Sequence, residues 1–202
     1  MKNTLKAMFC FILALAISAC AVSCGKSGET TASATNTNTG NTPENGALGL
    51  LETIWNAYSE SEKFPVSGGD ESNLNFEGPG KYSTESAEML DNMLGLPTDL
   101  ADKIDDAASL THAMNANTFT CGAFHFKTST DAENAISKIK SNILSRHWIC
   151  GFPDSLLIIS APGNYVIAVW GIDKGTGIIS AFKNKVQGTI DGAVIAVSEP
   201  IV

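Results

Sequence analysis

The stretch SLLIISAPGNYVIAVW, residues 155–170, decides the fold. Two apolar runs of strand length lie on either side of APGN, where Pro162 and Gly163 suit the two central positions of a type II turn. The segment therefore predicts a β-hairpin. Because both runs are apolar almost throughout and do not alternate with polar residues, we expect other elements to cover this hairpin on both faces.

The segment before this hairpin, STDAENAISKIKSNILSRHW, has the clearest helical periodicity in the chain. Thr130 and Glu133 have the spacing of an N-terminal capping box. Arg146 and His147 follow at the C-terminal end of the helix, where the partial negative charge of the helix dipole favours positively charged side chains. The spacing predicts a helix whose buried face carries Ala135, Ile136, Ile139, Ile143 and Leu144.

A second hairpin is predicted upstream, in AASLTHAMNANTFTCGAFHFK, residues 107–127. Asparagine tolerates the positive φ of a tight turn, so the turn is expected at Asn115 to Asn117. A turn at Ala116–Asn117 would place His112 opposite Cys121. Two hairpins separated by a helix predict an α+β domain with a mostly antiparallel sheet of four to five strands and helices packed on it.

Further helices are predicted at residues 47–64, 84–94 and 177–188, and the last eleven residues end as a short strand or tail. In the second of these helices, Ala87, Leu90, Met93 and Leu94 form the apolar stripe, and Gly95 ends the helix. Residues 65–82 show Gly, Pro, Asn and Asp clusters without a period, which predicts a long loop with one extended piece at Leu74 to Phe76. A loop of this length is either functional or loosely ordered.

The N-terminus has the pattern of a targeting signal. Lys2 and Lys6 precede the apolar run AMFCFILALAI, which is shorter than the roughly 20 residues of a transmembrane helix. ISAC, ending at Cys20, resembles a bacterial lipobox, and AVSC, ending at Cys24, is the alternative. We predict a lipoprotein signal peptide over residues 1–19, or to 23 if Cys24 is the anchor. An ordinary secretion signal remains the other interpretation.

A Ser/Thr/Asn/Gly-rich tether is predicted over residues 20–46, followed by a single domain over residues 47–202. These features predict a membrane partner, reached through the lipid anchor, and a location on the outer face of the cell membrane. The formal net charge is −8. Because phosphate binding needs clustered Lys and Arg, this charge disfavours nucleic acid and anionic lipid headgroups as partners.

Few residues could carry chemistry. Cys121 and Cys150 form a candidate disulfide across about 28 residues, worth on the order of 3–4 kcal/mol, or are both reduced and buried. A His112–Cys121 nucleophile pair lacks an orienting third residue. Among the cysteine and histidine spacings, only His147 with Cys150 leaves a zinc site geometrically possible. The acidic clusters at residues 70–77 and 99–106 lack the alternate-position ligands of a calcium loop. We expect no catalytic residue, no metal and no cofactor.

The run MLGLPTDLADKIDDAASLTHAMNANTFTCGAFHFKTSTDAENAISKIKSNI, followed by SLLIISAPGNYVIAVW, resembles small lipoproteins of Gram-positive bacteria that share an uncharacterised α+β domain. The resemblance covers about residues 85–187 and departs from the family pattern at Cys121 and Gly122. It implies this fold and a lipid anchor. The family has no catalytic motif, so the resemblance assigns no site residue.

These patterns favour a lipid-anchored extracytoplasmic binding or accessory protein without catalytic activity. A sheet face or the loop at residues 65–82 would contact an unknown protein or cell-wall ligand. The alternatives are a structural or assembly component of a cell-envelope complex, or a cysteine-dependent enzyme that uses Cys121 and His112.

Overall fold

The computed structural model describes residues 44–114, 117–149 and 151–202. The predicted signal peptide, both candidate lipidation residues (Cys20 and Cys24) and Cys150 lie outside these ranges. Four α-helices are described: α1 (Gly46–Asn56), α2 (Ala87–Leu94), α3 (Ser129–Leu144) and α4 (Ile178–Thr189). A short 3-10 helix, Thr98–Lys103, leads into the main part of the sheet.

The strands are β1 (Val66–Ser67), β2 (Gly80–Lys81), β3 (Ile104–His112), β4 (Thr120–Phe126), β5 (Ser155–Ala161), β6 (Tyr165–Gly171) and β7 (Val194–Pro200). They form one antiparallel sheet in the order β1-β3-β4-β6-β5-β7, and β2 also pairs with β3. The predicted α+β class and mostly antiparallel sheet are confirmed. The strand number of four to five is wrong, because the described sheet has seven strands.

The hairpin of residues 155–170 forms as predicted and is buried on both faces. Gly163 adopts φ 80°, the value that the second central position of a type II turn requires. Every residue of β6 is buried. Ile167 and Val169 pack with α1 and α4 on one face, whereas Val166 and Ala168 pack with α2 and α3 on the other. Burial of such a side chain contributes about 1.5–3 kcal/mol, so the sheet is stabilised from both sides.

The helix over residues 129–144 is confirmed, but its cap lies two residues earlier than predicted. Thr128, not Thr130, is the N-cap, and its Oγ1 accepts a hydrogen bond from the Asp131 amide at 3.1 Å. The chain leaves β4 at Phe126, so the helix begins as soon as the strand ends. At α2 the predicted end is confirmed, because Gly95 adopts the left-handed conformation with φ 75°.

The first hairpin forms in a different register from the predicted one. Leu110, not His112, pairs with Cys121, and the His112 amide donates to the Phe119 carbonyl at 2.9 Å. The difference is two residues because the connection between β3 and β4 is longer than a two-residue turn. A slip of two preserves the side-chain alternation, so each residue keeps its predicted face of the sheet.

Residues 65–83, which we name the edge segment, are ordered rather than a loose loop. β1 and β2 both pair with the outer edge of β3, and Gly68 and Asn75 exchange two backbone hydrogen bonds of 2.7 and 2.9 Å. Sequence patterns missed β1 and β2 because strands of two residues are too short to show a period. Asn75 lies within the extended piece predicted at Leu74 to Phe76.

The edge segment crosses itself at two glycines. A Cβ atom on Gly80 would overlap the backbone of Gly68, and a Cβ on Gly68 would overlap the backbone of Gly80. Both contacts involve backbone atoms, which cannot rotate away as a flexible side chain would. Only glycine therefore fits at either position.

We expect Gly80→Ala to destabilise the protein by about 1–3 kcal/mol, the usual effect of overpacking. The measurement is urea unfolding followed by circular dichroism. The control is Gly188→Ala in α4, where no atom lies within 4 Å of the added Cβ. This control should raise stability by up to about 1 kcal/mol, because alanine favours helix more than glycine does. Equal effects of the two substitutions would contradict the proposed crossing.

Candidate functional site

A cleft of about 500 Å³ opens between α2 and the edge segment. β3 forms its floor through Ser109 and Thr111. The arrangement follows from the order of the chain, since the edge segment covers the outer edge of β3 and α2 then returns across the sheet face. The result is a concave surface whose walls belong to different elements.

The helical wall of the cleft carries two methionines one turn apart. Met89 and Met93 are 47% and 51% exposed, whereas Leu90 and Leu94 are buried. Met93, which the sequence places on one apolar stripe with Leu90 and Leu94, therefore does not share their buried face. Met89 and Met93 form a second apolar face of α2, rotated from the first, and their i,i+4 spacing in the sequence is the signal that could have identified it.

The opposite wall, formed by the edge segment, contributes two large side chains, Leu74 and Tyr82, among mostly polar lining residues. Leu74 lines the cleft and is 52% exposed, and Tyr82 is buried beside it. Phe76, two residues beyond Leu74, is 72% exposed. Single exposed apolar residues are ordinary, but a group of them around one concavity is typical of an interaction site.

Hydrogen bonds hold the floor of the cleft in place. The hydroxyl of Ser109 accepts from the Gly69 amide at 2.9 Å, and the hydroxyl of Thr111 donates to the Ser67 carbonyl at 2.9 Å. Both bonds join β3 to the edge segment. The floor therefore has a defined shape before any ligand arrives.

The carboxylate of Asp70 organises the mouth of the cleft. One oxygen accepts from the amides of Ser72 and Asn73 and from the Asn73 side chain, and the other accepts from the Ser83 amide at 2.6 Å. Partial desolvation raises the pKa of Asp70, but these hydrogen bonds together outweigh it and hold the pKa below its ordinary value. The charged carboxylate of Asp70 thus links Ser72 and Asn73 to Ser83 at the mouth of the cleft.

A second cavity, of about 420 Å³, shares Met93 with the cleft. The Arg146 guanidinium lies 5.7 Å above the Trp170 ring and donates to the Asp91 carboxylate at 2.9 Å. Arg146 thus joins α3 to α2. The indole nitrogen of Trp148 is buried and has no hydrogen-bond partner in the part of the chain that the structure describes.

Cys121 and His112 do not form a catalytic pair. Cys121 is fully buried in β4, and burial raises the pKa of its thiol, which weakens it as a nucleophile. The His112 ring stacks on Phe64 with a centroid distance of 5.4 Å. The candidate Cys121–Cys150 disulfide and lipidation at Cys20 or Cys24 stay predictions, because Cys150, Cys20 and Cys24 lie outside the described residues.

Acidic residues of the cluster at residues 99–106, which precede β3 or lie at its start, have structural partners. Asp105 lies 2.5 Å from the ring of His125, and the Asp99 carboxylate lies 2.5 Å from Lys138. Asp106 accepts from the Ala47 amide at 2.8 Å and so caps α1 from across the fold. Within residues 44–114, 117–149 and 151–202, no group of three or more His, Cys, Asp or Glu side chains is placed to hold a metal ion.

None of the helices in the described part of the chain has the length and apolarity needed to cross a membrane. No family model, curated protein or solved structure matches the chain. The resemblance to the Gram-positive lipoproteins therefore stays a prediction.

The contribution of Asp70 to stability should depend on pH. Because its folded-state pKa is lower than the ordinary value of 3.8, the contribution is fully present above pH 3.8 and is lost as pH falls through the folded-state value. We expect the Ser83 amide to lose hydrogen-exchange protection in that acidic window. Asp70→Asn should lower this protection at every pH and remove its pH dependence. Glu71→Gln is the control, and equal behaviour of the two variants would contradict this role of Asp70.

Cys121 should resist thiol reagents in the folded protein. Its buried thiol is out of reach of a maleimide, and the raised pKa keeps it protonated at neutral pH. Peptide mapping by mass spectrometry should find Cys121 unlabelled in native buffer and labelled in guanidinium chloride. Rapid labelling in native buffer would reopen the interpretation as a cysteine-dependent enzyme.

Proposed function

We propose that this protein is a non-catalytic binding protein and that its ligand site is the cleft between α2 and the edge segment. The observation that carries the proposal is the set of half-exposed apolar side chains, Leu74, Met89 and Met93, around a floor that is already hydrogen-bonded. Ligand sites in proteins are typically concave, mostly apolar and largely preformed. The cleft has these three properties.

The apolar walls set the scale of the interaction. Full burial of a methionine or leucine contributes about 1.5–3 kcal/mol, so completing the burial of three half-exposed side chains contributes about 1 kcal/mol each. Association costs on the order of 4–15 kcal/mol in lost freedom. The ligand must therefore make further contacts, and we expect a weak, reversible complex.

The preformed shape of the cleft limits the cost of binding. Both ends of the edge segment pair with β3, and Asp70 fixes the rim between them. A ligand therefore does not have to order this wall when it binds. Met89 and Met93 remain adaptable, because an unbranched thioether side chain can follow ligands of different shape.

The non-catalytic part of the proposal is supported by the composition of the cleft. The hydroxyls of Ser67, Ser109 and Thr111 line it, but no histidine lies among the described lining residues to activate them. We also propose the predicted location, with the protein held at the outer face of the membrane by a lipid on Cys20 or Cys24. Its support is the sequence pattern of the N-terminus.

The proposal predicts that an apolar probe binds in the cleft. With methionine methyl groups labelled by carbon-13, a titration with the neutral dye Nile red should shift the Met89 and Met93 resonances together and to saturation. Met114 is the matched control, since it is 56% exposed but lies outside the cleft. The double variant Met89→Ser/Met93→Ser should weaken dye binding. It should also lower stability by about 1–3 kcal/mol, because both side chains are half buried in a helix, so urea unfolding must show that the variant is folded.

Two outcomes would contradict the proposal. In the first, Met89 and Met93 do not respond to the dye at any concentration. In the second, Met114 shifts as much as they do, which would indicate nonspecific adsorption of the dye to exposed methionines.

A further inference from the structure

We propose that the occupant of the cleft is a polypeptide segment that carries lysine or arginine beside apolar side chains. This inference rests on the proposed function, because it specifies the ligand of the same site. The argument combines the charge around the cleft with the shape and chemistry of its walls.

The region that builds the cleft is strongly acidic. Residues 65–94 contain six acidic residues and one basic residue, Lys81, which gives a formal charge of −5. Lys81 lies 4.0 Å from Asp106. No lysine or arginine is found among the described residues that line the cleft. The acidic residues of the region are Asp70, Glu71, Glu77, Glu85, Glu88 and Asp91.

Three of these carboxylates, at Glu71, Glu85 and Glu88, belong to residues that line the cleft or precede a lining residue in the sequence. Glu71 lines the cleft, and Glu85 and Glu88 directly precede the lining residues Ser86 and Met89. All three are exposed and have no ion pair within the described ranges. Charges separated by less than about 8 Å still interact at physiological ionic strength. A positive group on the ligand would therefore be attracted.

The walls favour a polypeptide over a compact small molecule. Apolar side chains lie on both walls, Leu74 on one and Met93 on the other, and Met93 also lines the second cavity. An extended ligand can contact both walls. Lysine and arginine suit it because their apolar stems pack along methionine and leucine while their charged ends stay near carboxylates in water.

The same charges disfavour an anionic membrane surface as the occupant. Phospholipid headgroups that carry negative charge would be repelled by Glu71, Glu85 and Glu88. Repulsion of wrong partners contributes to specificity as much as attraction of the right one does. The cleft is thus suited to a cationic, apolar segment of another protein.

The test compares three acetylated and amidated peptides of equal length, in which leucine alternates with lysine, serine or glutamate. Binding to the purified full chain is followed through the Met89 and Met93 methyl resonances. We expect the lysine peptide to bind about tenfold more tightly than the serine peptide at low salt, with the difference shrinking as salt rises. The glutamate peptide should bind most weakly.

Two triple variants distinguish an effect of the carboxylates near the cleft from an effect of the net charge of the whole protein. Glu71→Gln/Glu85→Gln/Glu88→Gln should remove the preference for lysine, so that the lysine and serine peptides bind this variant with equal affinity. Glu44→Gln/Glu133→Gln/Asp191→Asn removes the same charge from exposed positions outside the cleft and should keep the preference.

The outcomes distinguish this inference from the proposed function. If the serine peptide shifts Met89 and Met93 but lysine gives no advantage, the charge inference is overturned and the binding function stands. If neither the peptides nor Nile red shift these resonances, both are overturned. Binding of anionic phospholipid vesicles through the same methionines would also overturn the inference.

Discussion

The pairing of β4 with β6 is the interaction on which the rest of the structure depends. It joins the two hairpins into one sheet and places β6 at the centre, where all of its residues are buried. A strand that is apolar on both sides needs cover on both faces, which α1 and α4 supply on one face and α2 and α3 on the other. α2, one wall of the cleft, is therefore held in place by the demand for burial at the centre of the sheet.

The cleft forms where α2, packed on the sheet face, lies beside the outer edge of β3. β3 is the outer long strand on its side of the sheet, and an open edge invites pairing with other chains. The edge segment covers it with two strands of two residues each, joined by a loop that crosses itself at Gly68 and Gly80. Between its two paired ends, residues 69–72 and 74 of the edge segment line the cleft opposite α2. The space between the edge segment and α2 is the cleft. The edge segment therefore both covers the edge of β3 and forms one wall of the cleft.

Long-range periodicity predicted most of the fold, and local geometry accounts for what it missed. The hairpin at residues 155–170 and the helix at residues 129–144 each carry a pattern over many residues, and both are confirmed. The cap at Thr128 and the pairing of Leu110 with Cys121 depend on where a strand ends and how long a connection is, which sequence patterns fix only to within two residues. The sequence of the edge segment has no period, so it predicts a long loop. The pairing of the segment with β3 could not be predicted, because β1 and β2 have only two residues each. Met93 falls on one apolar stripe with Leu90 and Leu94 in the sequence, whereas in the structure α2 has two apolar faces and Met93 lies on the exposed one.

The magnitudes connect the cleft with the predicted membrane anchor. Apolar walls worth a few kcal/mol, together with exposed charge pairs of about 0.2–1 kcal/mol each, leave little surplus over the freedom lost on association. A partner in dilute solution would occupy such a site only transiently. If Cys20 carries the predicted lipid, the tether predicted over residues 20–46, most of which lies outside the described residues, would keep the domain near the membrane. For a partner held at the same membrane, confinement of this kind raises the effective concentration toward the millimolar range, where a weak contact is sufficient. A cleft of low intrinsic affinity and a short tether therefore suit each other, because the tether supplies the proximity that the cleft does not.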